Sequence, residues 1–309
     1  MLIFTLFPER YIPSSLNGIL LYAKFILPSL FPFFVLTKIL TSMNIIAKLS
    51  NKLSGITQRL FNTGGISSYI FIMGLISGYP VSSSIIADCY KNGLLTKEEC
   101  ERTFAFTSTS GPIFIIGTVG FSMLQNKTIG FFLLLVHIIS SILTGLCFRN
   151  YHLKQTKPKQ VIRQQSNPDF VLSECMYGSI KSILIIGGYI ALFFILCDIL
   201  RDFGVLNIIS KPLEWFFTMF NIQIEYINGL TSGIVELTRG IQSISSHVLT
   251  KTSFVIISGL ISWSGISIIL QSHSFLSKIK IKARFLLLVK TVQSLISIII
   301  ATIISFIIF

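Results

Sequence analysis

Long apolar stretches alternate with short polar ones along this chain. Apolar windows run over Gly65–Cys89, Thr103–Leu124, Ile129–Phe148, the segment between Lys181 and Asp198, Ile227–Leu249, and onward from Phe285. Polar stretches separate them at Asn44–Leu60, Lys91–Arg102, Arg149–Asp169, Arg201–Phe220 and Ser277–Arg284. Windows of about 20 apolar residues match the length of a helix that crosses a bilayer. The pattern predicts helices throughout. One window carries its own breakers. The run "SGYPVSSS", Ser77–Ser84, lies inside an otherwise apolar segment. Pro80 removes a backbone donor and clashes with the preceding turn, and it pushes Tyr79 out of the helical region.

Composition sharpens the class. Of 309 residues, 52% are hydrophobic and 12% charged, with a mean hydropathy of +0.77. Soluble domains carry about twice that charged fraction. The chain reads as a polytopic membrane protein. Its net charge of +13 fits basic loops on an inner membrane face rather than nucleic-acid binding. The N-terminal "MLIFTLFPER" is too short for a signal peptide and lacks a basic lead. The five cysteines show no paired spacing and the four histidines no ligand spacing, so neither a metal site nor a disulfide framework is expected.

The chain repeats itself. "GLISG" at Gly74–Gly78 returns as "GLTSG" at Gly229–Gly233. "STSG" at Ser108–Gly111 returns as "SWSG" at Ser262–Gly265, and "FLLLV" at Phe132–Val136 returns at Phe285–Val289. The three matches keep their order, with offsets that shrink by one residue each time. Residues 1–149 and 171–309 are therefore expected to be two copies, joined by a basic cytoplasmic linker at 150–170.

Loop charges orient the copies. The linker, Lys91–Arg102 and Asn44–Leu60 are basic and are placed inside, whereas the turn Gln125–Thr128 has one lysine and is placed outside. In the second copy the turn Ser277–Arg284 is strongly basic and goes inside, and the balanced Arg201–Phe220 goes outside. Each loop swaps side, which is the signature of inverted-topology repeats in secondary transporters. Gly65–Cys89 then starts and ends on the inside. It is expected to be a re-entrant hairpin at 65–89 with its tip near Gly78-Tyr79-Pro80. Its partner at 227–249 enters from outside and turns near Gly233. The expected fold is all-α, with three spanning helices and one re-entrant hairpin per repeat, and both termini on the non-cytoplasmic side.

Irregular backbone at membrane depth is tolerated only inside protein or along a wet cavity, so the tips are the first candidate site. They offer Ser77, Gly78, Tyr79, Pro80, Ser82, Ser83 and Ser84 on one side and Thr231, Ser232, Gly233, Glu236, Thr238, Arg239 and Gly240 on the other. For the single serines, close packing and ligand contact stand level. The breaks Ser108, Ser110 and Gly111, and Ser262, Trp263 and Ser264, are the second candidates, since half-helix ends attract ions and carboxylates. Trp263 has two readings, a stacking platform or a packing residue. Glu236 and Arg239 stand i, i+3 on one helix face. They form either a structural pair or a site in which Arg239 meets an anion through its bidentate fork and Glu236 takes a proton or cation. Asp88 is placed at the inner interface, and Lys181 and Asp198 are expected to snorkel. His137 and Lys290 hold matching positions in the two "FLLLV" helices and suggest a pore-facing stripe. No P-loop, HExxH or GxSxG is present, so no enzyme activity, cofactor or metal is expected.

The segment Phe71–Gly120 carries a resemblance. Its Gly-Tyr-Pro hairpin, its loop Gly93-Leu94-Leu95-Thr96-Lys97-Glu98-Glu99, its helix Ser110–Gly120, the preceding Leu27–Leu36 and the later Gly233–Ile241 together resemble the YlbJ-type (SpoVV) sporulation integral membrane proteins. The resemblance implies a Gate, or nucleoside-recognition, domain architecture similar to that of concentrative nucleoside transporters. It implies transport of dipicolinic acid, a planar dianion, across the outer forespore membrane of the mother cell. Arg239, the serines and the half-helix ends would then hold the small anionic substrate. A coupling cation or proton and membrane lipid complete the expected partners. The alternatives are a nucleoside or other small-metabolite carrier, and a non-transporting assembly factor of the spore envelope.

The hairpin makes a testable expectation. Single cysteines introduced at Asn62 and Asn92 should be labelled by an impermeant maleimide from the same side of the membrane. Labelling from opposite sides would replace the hairpin with a single crossing.

Overall fold

A computed structural model describes residues 7–42, 54–153, 171–219 and 224–309. Among these, all regular structure is helical. Most of the linker 150–170 and of Asn44–Leu60 lies outside the described residues. By length and apolar character four helices can cross a membrane: Lys127–Cys147, Leu172–Asp202, Lys251–Ile279 and Ala283–Ile308. The pair Ser54–Phe61 and Ile66–Ser77, bent by 89°, makes a fifth if it counts as one span. The protein is thus a multi-pass integral membrane protein. The six full spans expected from the sequence are not matched one for one. The segment Thr103–Leu124 is split by a break, and the N-terminal helices α1 (Pro8–Leu21) and α2 (Leu27–Ser42), of 14 and 16 residues, run into each other through a π-wound turn at Tyr22–Ile26.

Helix α3 (Ser54–Phe61) precedes α4 (Ile66–Ser77) and α5 (Val81–Lys91). Next come α6 (Lys97–Thr107), the π-wound α7 (Ile113–Met123) and α8 (Lys127–Cys147). The second half contains α9 (Val171–Asp202), α10 (Val205–Met219), α11 (Ile227–Val235), α12 (Leu237–Ser245), α13 (Lys251–Trp263), α14 (Gly265–Leu276) and α15 (Ala283–Ile308).

Three contacts in register show that α4 and α6 run side by side in one direction. Ser67 Oγ meets Thr103 Oγ1 at 2.7 Å. A Cβ on Gly74 would stand 2.7 Å from the Thr107 carbonyl, and one on Gly78 would stand 2.6 Å from the Gly111 nitrogen. Helix α5 returns between them to the loop that starts α6. The pair α4–α5 is therefore a hairpin whose tip lies against the break Ser108–Gly111. Its mouth is tied by Arg102, which donates to the carbonyls of Asn62, Tyr151 and His152 at 3.1–3.2 Å. Burial holds the Arg102 guanidinium below its ordinary value.

The second hairpin is built alike. Tyr226 Oη donates to the Val248 carbonyl at 3.0 Å across its mouth, and Gly233 and Gly240 bring the two arms together. Each arm has nine residues, about 14 Å, which is roughly half a bilayer. The turn falls at Val235–Leu237 and not near Gly233, which lies within α11. Gly233 serves close packing, the small-residue use common between membrane helices. Both broken helices begin with the same reciprocal cap. Thr96 Oγ1 accepts from the Glu99 N–H at 3.2 Å while Glu99 accepts from the Thr96 N–H at 2.9 Å. Thr250 and Ser253 repeat this at 3.2 and 2.8 Å.

Helix α15 joins the halves. Near its start Phe285 meets Phe148 at 5.8 Å and Tyr151 at 4.8 Å between centroids. At its far end Phe309 meets Phe254 at 6.2 Å, and Lys251 Nζ lies 5.0 Å from the centre of the Phe306 ring.

Two glycines test what holds the first tip. Gly78 and Gly93 both have positive φ, 76° and 68°, but only Gly78 abuts another backbone. Gly93→Ala should cost about 1 kcal/mol. Gly78→Ala should cost on the order of 3 kcal/mol or more, because strain and a backbone clash add. Thermal unfolding in detergent reads the difference.

Candidate functional site

Both hairpin tips and the first break line one cavity of about 80 Å³, room for a few water molecules. Ser77, Gly78 and Tyr79 come from the first tip, Ser110 and Gly111 from the break, and Glu236 from the second tip. All six stood among the sequence candidates. Thr238, also offered by the second tip, lines the cavity as well, and so do Gln271 and Thr118, which the sequence reading did not single out. Gln271 lies in α14, about two turns beyond the Ser264 break, and no local motif marks it.

The breaks release backbone groups, and buried side chains take them up. His137 Nε2 accepts the Ser110 N–H at 2.8 Å, so Nδ1 carries the ring proton and donates to Ser262 Oγ at 3.0 Å. Lys290 Nζ donates to the Ser108 carbonyl at 2.6 Å and to Gln293 Oε1 at 2.9 Å, and it stands 5.0 Å from the centre of the Tyr79 ring. Both side chains are 1% exposed. They are anchors of the breaks rather than a pore-facing stripe. Tyr79 Oη donates to the Ile261 carbonyl at 3.0 Å, which ties the first tip to the second broken helix.

At the second tip Glu236 caps α12. Its carboxylate accepts the Arg239 N–H at 2.7 Å, an arrangement favoured by the positive end of the helix. The Arg239 guanidinium goes elsewhere. It pairs with Asp198 of α9 and donates to the Phe194 carbonyl at 3.1 Å. The i, i+3 spacing of Glu236 and Arg239 thus serves a cap, and the ion pair is made with Asp198. Asp198 does not snorkel. It also accepts from Ser14 Oγ and lies 3.8 Å from Arg201, in a network that joins α1, α9 and α12. Asp88 pairs with Lys38 at 3.7 Å.

Several candidates lie outside the cavity. Thr231 Oγ1 bonds back to the Ile227 carbonyl at 2.9 Å, and Ser232 Oγ accepts from Arg201 at 3.4 Å. Pro80 starts α5, and Ser82 and Ser83 are wholly buried behind the tip. Ser262 is held by His137, and Ser264 forms the left-handed step between α13 and α14, with φ 70°. Trp263 donates its indole N–H to the Ile234 carbonyl at 3.0 Å. It lines a second cavity of about 750 Å³ among α10, α11, α13 and α15. That cavity is larger but almost wholly apolar, so the tip cavity is the better place for a polar solute.

Chemically, the tip cavity offers one carboxylate, one amide, hydroxyls and the N-terminal ends of α5, α7 and α12. No basic side chain is among its lining residues.

Comparison with known proteins agrees with the first-half motifs. The chain is similar to the sporulation integral membrane protein YlbJ of Bacillus subtilis (strain 168), with 24% identity over 93% of this chain and 75% of that protein. The resemblance read from Phe71–Gly120 therefore extends over nearly the whole chain. No family model matches. Among solved structures, CNTnw, a concentrative nucleoside transporter captured as a double mutant in an outward-facing state, is similar in fold. The TM-score is 0.52 at 13% identity, over 93% of this chain and 76% of that one.

The Asp198 network predicts where Arg239 matters. Arg239→Ala should lower stability by about 1–3 kcal/mol, the cost of leaving a charged hydrogen-bond partner unmet. Asp198→Asn with Arg239→Gln should cost less than the two single changes together. Denaturation midpoints of the four proteins give the coupling directly.

Proposed function

We propose that this protein is a secondary-type transporter whose substrate site is the cavity between the two hairpin tips. The observation that carries the reading is the convergence of both tips and the first break on one cavity, mostly apolar in its walls, into which Glu236, Gln271 and several hydroxyls bring polar groups. A helix packed only for stability has no need of freed backbone at membrane depth. The likeness of fold to a concentrative nucleoside transporter supports transport by analogy alone.

The two halves are inverted repeats in this reading. Support comes from the ends of α15. The first mouth, with Phe104 and Tyr151, neighbours Phe285 at the start of that helix. The second mouth, with Lys251 and Phe254, neighbours Phe306 and Phe309 at its end. Access alternates as one tip, then the other, withdraws. The cavity of about 80 Å³ is smaller than a metabolite, so loading requires a tip to move.

The lining favours a small uncharged or cationic solute rich in hydrogen-bonding groups, of the nucleoside kind. Glu236 and Gln271 would accept from and donate to hydroxyls or amides, and Tyr79 would offer a ring face. The reading assigns the protein no chemical step. A second reading, dipicolinate export at the outer forespore membrane, draws on the sporulation name of the relative and on three helix N-termini at the cavity, which attract anions. It requires Glu236 to be protonated while the dianion is bound.

Uptake into vesicles containing the purified protein separates the two readings. Radiolabelled uridine and dipicolinate are the probes, with and without proton or sodium gradients. Uridine uptake should be measurable and should fall at least about ten-fold in Glu236→Gln, the loss of one charge-assisted hydrogen bond. Dipicolinate uptake that rises in Glu236→Gln would favour the second reading. Flux of neither probe in a folded protein would leave an assembly role in the spore envelope.

A further inference from the structure

Lys290 is a buried ionisable group that the proposed site does not use. It is 1% exposed, and among the described residues no carboxylate pairs with it. The Ser108 carbonyl and Gln293 Oε1 accept two of its protons. The Ser108 carbonyl lies at the C-terminal end of α6, where the helix dipole is negative. An ammonium there is held by a helix end, an amide and an aromatic face. Those are weak partners for a charge taken out of water.

The same cluster is prepared for the neutral amine. Gln293 Nε2 and Ser108 Oγ are buried and have no hydrogen-bond partner. A neutral amine gains a lone pair. Rotation of the Gln293 amide would then bring its N–H to that lone pair, and the Ser108 hydroxyl could donate as well. Two orphaned donors beside one uncompensated cation fit a group that lives in two protonation states. The other titratable neighbours are fixed. His137, from α8, is a neutral ring with both nitrogens in use. Tyr79, from the first tip, donates to Ile261. No other charged group on α6, α13 or α14 forms an ion pair or hydrogen bond with Lys290 among the described residues.

We infer that Lys290 is a proton-binding site whose charge holds the first helix break closed against the Tyr79 tip. When the ammonium gives up a proton, the amine keeps two N–H groups, but its bond to the Ser108 carbonyl is no longer charge-assisted and the Tyr79 ring loses the cation on its face. The break and the tip are then free to separate. The proton passes to water in the adjoining tip cavity, which Tyr79 also lines. The link to coupled transport rests on the proposed function, but the proton-controlled opening does not.

A cysteine reporter at Thr118→Cys, with the exposed Cys147 changed to serine, reads the opening without any substrate. Maleimide labelling of the full-length protein in vesicles is followed across about pH 6 to about pH 10, from the buried to the free lysine range. The Lys290→Met protein should label on the order of ten-fold faster than the native lysine at low pH, since one charge-assisted hydrogen bond to the break is gone. That ratio should fall as the pH rises and the native lysine becomes neutral, because its bond to the break then loses its charge assistance. Thiol ionisation is common to both proteins and cancels. Gln293→Glu places a carboxylate beside the ammonium and should move the midpoint upward by about 1–3 pH units. A purely structural lysine would leave the ratio flat and that midpoint unmoved, and either result overturns the inference. If Lys290→Met does not fold, the Gln293→Glu midpoint against the native one decides. Absence of uridine or dipicolinate flux would not bear on this measurement.

Discussion

Backbone groups released in the middle of a bilayer have no water to turn to, and the rest of this structure follows from how they are satisfied. The breaks at Ser108–Gly111 and Ser264 and the tips at Gly78 and Glu236 each free donors or acceptors. At the second tip Glu236 takes up the Arg239 N–H of its own return helix, whereas groups around the first tip and break are met by buried side chains from other elements. Lys290, in the second half, reaches the Ser108 carbonyl in the first. His137, in the first half, accepts from Ser110 and touches Ser262 in the second. Tyr79 reaches across to Ile261. The hydrogen bonds that make irregular backbone tolerable at depth are therefore also the bonds that join the halves. A membrane protein gains little from apolar burial between its helices, because lipid is as apolar as leucine. Satisfying such groups is correspondingly important.

The two halves use equivalent positions for different chemistry. Thr96 and Thr250 cap their helices in the same way. The positions of His137 and Lys290 correspond, yet one holds a neutral acceptor and the other an ammonium donor, and both act on the first break. The tips differ as well. The first turns on a glycine with φ 76° and ψ 179°, a conformation open essentially to glycine. The second turns on an extended glutamate that caps its own return helix. One tip is thus fixed by backbone fit and the other by a carboxylate, so the two need not open under the same conditions.

The charge around the cavity also changes the choice of solute. Read from spacing alone, Arg239 is a carboxylate receptor. In the fold it is bound by Asp198, and the acidic Glu236 faces the cavity in its place. An anion would meet an acid there, offset only by helix ends. A hydroxyl-rich neutral solute meets donors and acceptors it can use.

The sequence determined the class and the first tip. Hydropathy and charge placed the chain in a membrane, because a bilayer imposes one length and one polarity on everything that crosses it. Gly78-Tyr79-Pro80 announced its own turn, because glycine and proline act on the backbone locally. The partnership of side chains was decided by tertiary structure alone. Glu236 and Arg239 stand three residues apart, but the guanidinium is long enough to choose between its neighbour and Asp198, and the fold decides the choice by bringing Asp198 and the Phe194 carbonyl of α9 within its reach. Gln271 carries no signal because an amide acquires a role only when another helix presents a cavity to it. Gly233 matches Gly78 in the repeat but does not turn, since a glycine permits a bend without compelling one. Lys290 and His137 were visible as a matched pair. What they bind was not, because the carbonyl of Ser108 and the N–H of Ser110 become available only once α6 has broken.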